Sequence, residues 1–224
     1  MSSIYEREGR RILFVHIPKA GGSSVRKMIE SQGWKIAEKD RPLPTRMSRE
    51  IQVSDNKRSK HQHRALRDLW DRTWEYEFTI VRNPYDRIFS KAKQQAKEFG
   101  IEYPHPLGFI DWVTDLFKNV IPKNGPGVDD NHFRSQFEFI GEGTDWYRIE
   151  DQIPELLSEL QRRKIISPST SLPRENVSLK DVPDIRVPWE RFPNVLSEFL
   201  KFYEKDFEKF KYNKSYSTIY SNLL

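Results

Sequence analysis

The 224-residue sequence contains no cysteine. This absence excludes a disulfide framework, a thiolate nucleophile and a cysteine-ligated metal site. The sequence also lacks any run of about 18 apolar residues, the length that a membrane-spanning helix requires. The N-terminal stretch MSSIYEREGRR has no apolar segment of the kind found in signal peptides. We therefore expect a cytoplasmic protein without a transmembrane segment.

The charge balance is only weakly basic, with 38 basic and 33 acidic residues and a net charge of +5. A basic balance is common in proteins that bind anions, but on charge alone we favour a solvated surface of mixed charge. Aromatic residues make up 13% of the chain, which predicts an aromatic-rich core. The length suits a single domain spanning residues 1–224.

The pattern of a buried strand, a turn and a helix occurs twice. Residues 11–17 (RILFVHI) predict a strand, and the helix after it spans 23–33 with Gly22 or Ser23 as its cap. The segment 76–81 (YEFTIV) predicts a second strand, and Asn83 is the expected N-cap of a helix over 84–98 that begins with proline. The repeated unit indicates an α/β fold with a central, mainly parallel sheet flanked by helices. Both turns should face one crevice at the carboxyl ends of the strands.

The remaining segments give weaker signals. We expect a variable loop or lid over 35–60, helices over 64–71, 106–120 and 152–164, short strands within 133–140 and 146–149, an extended connection over 165–190, and an amphipathic helix over 195–210 that breaks near Asp206.

The first turn, HIPKAGGSS, has the composition of an anion cradle. Gly21 and Gly22 allow backbone N–H groups to approach a ligand, Lys19 adds a full charge, and Ser23 and Ser24 add hydroxyl donors at the start of a helix. The alternative is a tight turn with a solvated lysine. The Walker pattern of nucleotide-binding loops does not fit, because here the lysine precedes the glycines.

The second turn, VRNPYDRIFS, places Arg82 at the end of a buried strand and Ser90 about two turns along the following helix. A guanidinium is well matched to a phosphate group, so both residues could bind an anion. Pairing of Arg82 with Asp86 is an equally plausible role when this turn is considered alone. Two cradles on neighbouring strands favour a ligand with two separated anionic groups.

These motifs resemble those of sulfotransferases that use 3′-phosphoadenosine-5′-phosphosulfate (PAPS), in the branch of the heparan- and chondroitin-type enzymes and their bacterial relatives. HIPKAGGSS resembles the 5′-phosphosulfate loop of that family, and VRNPYDRIFS resembles its 3′-phosphate motif. The segments NHFRSQFEFIG, YRIEDQIPELLSEL and FYEKDFEKFKY are similar to later parts of the family, so the likeness extends over about residues 11–212. One departure is Ala20, where threonine is commoner.

The resemblance implies a P-loop-like, three-layer form of the α/β fold and a role for each matching residue. Arg82 and Ser90 would hold the 3′-phosphate, and Arg174 or Asn176 would close over the nucleotide. Lys19 would neutralise the charge that grows on the leaving oxygen during an in-line transfer, and no metal is required. The 5′-phosphosulfate would be held by Pro18, Lys19, Ala20, Gly21, Gly22, Ser23 and Ser24.

A general base must still remove the proton of an acceptor hydroxyl, and histidine suits neutral pH. His61 and His63 lie about twenty residues before Arg82, where some related enzymes carry their catalytic histidine, and we favour His61. The surrounding KRSKHQHR could instead be a basic surface that binds nucleic acid or an acidic glycan. His132 and Arg134 are candidates for acceptor contact.

The function expected from these residues is transfer of a sulfuryl group from PAPS to a hydroxyl, on a carbohydrate acceptor, with no nucleic-acid partner. Two alternatives remain open at this point: a P-loop-like nucleotide kinase, and a non-catalytic basic module that binds glycans or nucleic acid. We read His16 as structural, because it falls in the predicted first strand.

Overall fold

The computed structural model of the protein describes residues 1–39, 73–99, 106–125, 128–173 and 188–216. The candidate residues His61, His63, Arg174 and Asn176 lie outside these ranges, as does the helix expected over 64–71. Most of the expected loop over 35–60 and the middle of the expected connection over 165–190 also lie outside them.

A five-stranded mixed sheet forms the centre of the fold, in the order β3-β1-β2-β4-β5. Its strands are β1 (Ser3–Arg7), β2 (Arg10–Val15), β3 (Lys35–Lys39), β4 (Tyr76–Val81) and β5 (Asp145–Arg148). The β2–β4 and β4–β5 pairs are parallel, but β1 pairs antiparallel with both β2 and β3. The α/β class is confirmed, whereas the expectation of a mainly parallel sheet was wrong.

The antiparallel part of the sheet comes from two strands that the sequence did not predict. Strand β1 is joined to β2 by Glu8 and Gly9, both with positive φ angles of 54° and 75°. This two-residue connection matches the twist of a β-hairpin. Strand β3 begins at Lys35, so the first residues of the expected loop are instead a strand at the sheet edge.

Helices flank the sheet. They are α1 (Gly22–Ser31), α2 (Pro84–Phe99), α3 (Pro106–Asp115), α4 (Ile121–Asn124), α5 (Ile153–Arg162), α6 (Pro193–Phe202) and α7 (Glu204–Lys209). A π-helical segment, Leu116–Val120, joins α3 to α4. Short 3₁₀ turns form at Gln136–Phe139 and Trp189–Arg191, and a short helical turn at Val128–Asn131. In the part of the chain that the structure describes, no helix is both long and apolar enough to span a membrane.

Two local expectations were wrong. The strand expected within 133–140 is the 3₁₀ turn Gln136–Phe139, because the buried Asp206 carboxylate binds the backbone there. The helix expected over 195–210 does break, but at Tyr203 rather than near Asp206.

Side chains alternate across the sheet and bury both of its faces. In β2, Ile12 and Phe14 pack against Val25 and Met28 of α1, whereas Leu13 and neighbours pack on the opposite face. Burial of each such side chain contributes about 1.5–3 kcal/mol. A separate aromatic cluster joins α2 to α3, α6 and α7. The sheet and the helices around it are therefore held by packing on both sides.

The parallel pairing of β2 with β4 determines where the two candidate turns lie. The register places Val15 opposite Thr79, and the buried Thr79 hydroxyl donates to the Val15 carbonyl oxygen at 2.7 Å. Both strands therefore end at the same edge of the sheet, and the turns after them leave side by side.

Candidate anion-binding site

The loop after β2 begins with a strained turn. The Ala20 N–H donates to the Ile17 carbonyl oxygen at 3.3 Å, and Lys19 has a φ of 66°. With Pro18 as the second residue and positive φ at the third, the loop has the features of a type II turn. Glycine normally occupies that third position, and another residue there costs about 1–3 kcal/mol. Holding Lys19 at the third position of this turn therefore strains the backbone.

The two glycines are required by packing. Helix α1 begins at Gly22 with Gly21 as its N-cap at a φ of 93°, so the predicted cap at Gly22 or Ser23 was wrong. A Cβ on Gly21 would collide with the Ile149 side chain, and one on Gly22 would lie 2.6 Å from the His16 ring. His16 is half-buried and lies just after β2 rather than within the strand, so its structural role stays a prediction. These close contacts bring the start of α1 next to the turn.

The amino group of Lys19 lies among other cations. Its Nζ donates to Oε1 of Gln94 on α2 at 3.0 Å. Burial, together with the charges of Lys91 and Arg82, lowers the pKa of Lys19 to about 8, although the charge of Glu98 opposes the shift. Cations gathered in a partly desolvated place repel one another, and a bound anion would relieve that repulsion.

Arg82 brings the second turn against the first. Its Nη1 donates to the Lys19 carbonyl oxygen at 3.4 Å. The side-chain amide of Gln136 holds the Arg82 backbone on both sides, accepting from its N–H at 2.9 Å and donating to its carbonyl oxygen at 2.7 Å. Asn83 is the N-cap of α2, as predicted, because its Oδ1 accepts from the Tyr85 N–H at 3.0 Å. Ser90 is half-buried on the same helix.

A carboxylate that the sequence did not single out lies at the start of α2. Glu150 accepts from the Asn83 N–H at 2.7 Å and from the Tyr212 hydroxyl at 2.9 Å. Burial raises the pKa of Glu150 above its usual value, although these bonds and Arg82 oppose the shift. Glu150 therefore already occupies the Asn83 N–H, and the binding of an anion by Arg82 and Ser90 stays a prediction.

Arg87 is the most important residue that sequence reasoning missed. Its side chain is only 2% exposed, and within the described ranges it donates to three backbone carbonyl oxygens: Nε to Pro18 at 2.9 Å, Nη1 to Arg134 at 2.8 Å and Nη2 to His132 at 2.9 Å. It therefore joins α2, the Lys19 turn and the segment after α4. The sequence signals only a polar residue in a helix, and no local pattern shows that it is buried.

A second buried cation, Lys91, lies one turn further along α2. Its Nζ is 2.6 Å from Oδ2 of Asp129, and the same oxygen accepts from the Gln95 amide at 3.3 Å. Asp129, Asp130 and Asn131 all have positive φ angles, of 52°, 57° and 64°. Three consecutive left-handed residues without glycine are costly, and such strain is typical of ligand-binding segments.

The two predicted acceptor contacts have different surroundings. His132 places Nδ1 at 2.5 Å from the Asp129 carbonyl oxygen, so in the neutral ring the proton resides on Nδ1 and Nε2 is the basic nitrogen. Arg134 is 2% exposed, donates from Nε to Asn131 at 2.9 Å and pairs with Glu138. Contact of either residue with an acceptor stays a prediction.

Comparisons of the chain with models of protein families, with characterised proteins and with solved structures found no match. The resemblance to PAPS-dependent sulfotransferases is therefore a prediction that rests on the sequence motifs. Within the described ranges, no group of three or more histidine, cysteine or acidic residues is arranged to hold a metal ion.

Proposed function

We propose that the protein is a PAPS-dependent sulfotransferase acting on an acceptor hydroxyl, with a carbohydrate as the acceptor class. The observation that carries this proposal is the meeting of two cationic turns at the ends of adjacent parallel strands. Arg82 of the second turn contacts the backbone of Lys19 in the first, at 3.4 Å. A donor with phosphate-like groups at both ends of a ribose would use both turns.

The two turns would take different parts of the donor. Lys19 and the start of α1, with Ser23 and Ser24, suit the phosphosulfate end, because helix N-terminal N–H groups and a lysine both favour an oxyanion. Arg82 and Ser90 suit the 3′-phosphate. Because the pKa of Lys19 is lowered to about 8 by burial and by neighbouring cations, a bound anion would raise it and keep the ammonium protonated.

The reaction is a direct displacement at sulfur. The acceptor oxygen forms a new S–O bond while the bond from sulfur to the bridging oxygen of the 5′-phosphate breaks. The electron pair of the broken bond stays on that phosphate, and the protonated Lys19 stabilises the growing charge. The acceptor proton goes to a histidine, for which His61 or His63 is the choice implied by the resemblance.

Nucleotide binding is the first test. The bisphosphate product, 3′-phosphoadenosine-5′-phosphate (PAP), should raise the melting temperature of the protein strongly, whereas Mg²⁺-ATP should raise it weakly. Lys19→Ala should abolish the PAP shift, and Lys97→Ala, an exposed lysine on α2, should leave it intact. The reverse preference for ATP would support a kinase. Binding of polyanions without any nucleotide shift would support a non-catalytic module.

A further inference from the structure

A cavity of about 240 Å³ lies beside the candidate site, between α2, the π-helical segment and the turn after α4. It is larger than the ~150 Å³ cavity that holds a benzene ring and smaller than the roughly 300–1,000 Å³ of drug-sized pockets. This volume suits a single ring with polar substituents. Its lining among the described residues includes Gln95, Trp112, Asp115, Leu116, Asp129 and Phe133.

Two unusual backbone features meet at this cavity. Leu116 and Val120, the first and last residues of the π-helical segment, both line it. Asp129, the first of the three left-handed residues, lines it from the other side. π-Helical insertions and strained turns both occur preferentially at functional sites. Their meeting at one cavity is the first argument that it binds a ligand.

The lining combines an aromatic surface with hydrogen-bonding groups. Trp112 is half-buried, and its ring centroid lies 5.8 Å from that of Phe133. The carboxylates of Asp115 and Asp129 and the amide of Gln95 supply acceptors and a donor. An indole face beside carboxylates favours a hydroxylated ring and is especially favourable for an ammonium group.

The charge of the residues that line the cavity disfavours an anionic ligand. Asp129 is paired with Lys91 at 2.6 Å, which neutralises one carboxylate. Asp115 accepts from the uncharged Asn119 amide at 2.8 Å, so that bond leaves its negative charge in place. An anionic ring would therefore be repelled from the cavity, whereas a neutral or cationic ring would not.

Two residues that line the cavity, Asp129 and Gln95, also connect it to the surroundings of Lys19. The Asp129 carboxylate that lines the cavity holds Lys91, and the charge of Lys91 helps to lower the pKa of Lys19. Gln95 lines the cavity, and its chain neighbour Gln94 accepts from the Lys19 amino group. The cavity is thus linked to Lys19 through Asp129 and Lys91.

We infer that this cavity is the acceptor site and that it takes a single hydroxylated ring carrying no negative charge, with an amino-bearing ring preferred over a neutral one. Trp112 supplies the stacking face, and Asp115 and Gln95 bind the polar substituents. The assignment of the cavity as an acceptor site rests on the proposed function, but binding of the ring can be measured without PAPS.

The test uses three sugars that share one ring and differ in charge: glucosamine, glucose and glucuronate. Ligand-observed NMR on the full chain, without nucleotide, should show binding in that order, with glucuronate weakest. Asp115→Asn should weaken glucosamine about tenfold and strengthen glucuronate. Asp111→Asn, an exposed carboxylate of α3 outside the lining, should leave all three affinities unchanged.

Trp112→Ala should also weaken every sugar about tenfold, with thermal melting used to confirm that the variant is folded. If that variant does not fold, Gln95→Ala provides the same comparison from another wall. Glucuronate binding as tightly as glucosamine, or an order that Asp115→Asn leaves unchanged, would overturn the inference, as would the absence of any sugar binding. Sugar binding without a PAP melting shift would instead uphold the cavity and refute the sulfotransferase.

Discussion

Arg87 donates from Nε to the carbonyl oxygen of Pro18 at 2.9 Å, across 69 positions of sequence. That carbonyl belongs to the peptide between Pro18 and Lys19, the central peptide of the turn. Rotation of this peptide is what interconverts type I and type II turns. By holding the carbonyl in place, Arg87 keeps Lys19 at its φ of 66°. This backbone conformation sets the direction in which the Lys19 side chain leaves the turn.

Replacing Arg87 with lysine keeps the positive charge, but it should still weaken the candidate anion-binding site. An ammonium cannot reach all three carbonyl oxygens that the guanidinium holds. We expect Arg87→Lys to lower the free energy of unfolding by about 2–4 kcal/mol. In protein that is still folded, affinity for PAP should fall about tenfold or more, measured by calorimetry.

Arg26→Lys is the matched control, because Arg26 is exposed on α1 and pairs only one turn away with Glu30. Its cost should stay within about 0.5 kcal/mol. Equal PAP affinity in the Arg87→Lys and Arg26→Lys proteins would show that Arg87 is structural and does not position Lys19.

The lowered pKa of Lys19 predicts a pH-dependent stability. Between about 8, the value in the folded protein, and 10.5, the ordinary value, the unfolded chain binds more protons at this residue than the folded protein. Stability therefore rises with pH across that window for the wild type but not for Lys19→Met. The wild type should gain about 1–3 kcal/mol relative to the variant. A difference that stays constant in chemical denaturation from pH 7 to 10.5 would contradict the shift.

Asp206 predicts a stability effect in the segment that carries Gln136. Its buried carboxylate accepts from the Ser135 hydroxyl and from the N–H groups of Gln136 and Phe137, both at 2.9 Å. Asp206→Asn presents an NH₂ group to some of these donors, so we expect a loss of about 2–3 kcal/mol in urea unfolding. Glu204→Gln, an exposed change two residues earlier, should cost almost nothing. Equal midpoints for the two variants would contradict the role given to the Asp206 hydrogen bonds.

The elements around the site could be predicted from the sequence because each carries a strong local signal. β4 is an apolar run that ends at Asn-Pro, and helix α2 begins at Pro84 as expected. β1 was missed because it is charged at its end and its hairpin turn is Glu-Gly rather than the favoured Asn-Gly. Whether neighbouring strands are parallel depends on such elements, so the sheet could not be predicted correctly without them.

The charged residues of the site could be predicted from the sequence, but the residues that hold them in position could not. Lys19 and Arg82 stand at the ends of recognisable strands, and the structure brings them together. Arg87, Gln136 and Glu150 act through contacts that span between 45 and 69 positions of sequence, and no local pattern encodes contacts of that range.

Substituting each candidate histidine in turn should identify the general base. His61→Ala should lower kcat by about 10²–10⁴-fold while the PAP melting shift stays unchanged, because a base does not hold the donor. His63→Ala should have a smaller effect on kcat. A large loss of kcat in His132→Ala alone would instead assign the base to His132, whose Nε2 is the basic nitrogen in the neutral ring.

The most direct test of the central claim is transfer of radiolabelled sulfate from PAPS to a panel of hydroxyl-bearing acceptors, with the wild type compared with Lys19→Ala. Sugars, glycolipids and small phenols should be included, so that the acceptor class is an outcome of the measurement. The account predicts labelled product with the wild type, no measurable product with the variant, and an unchanged fold in both. Wild-type turnover by the Lys19→Ala protein would contradict it, as would the absence of transfer to every acceptor by a wild type that binds PAP.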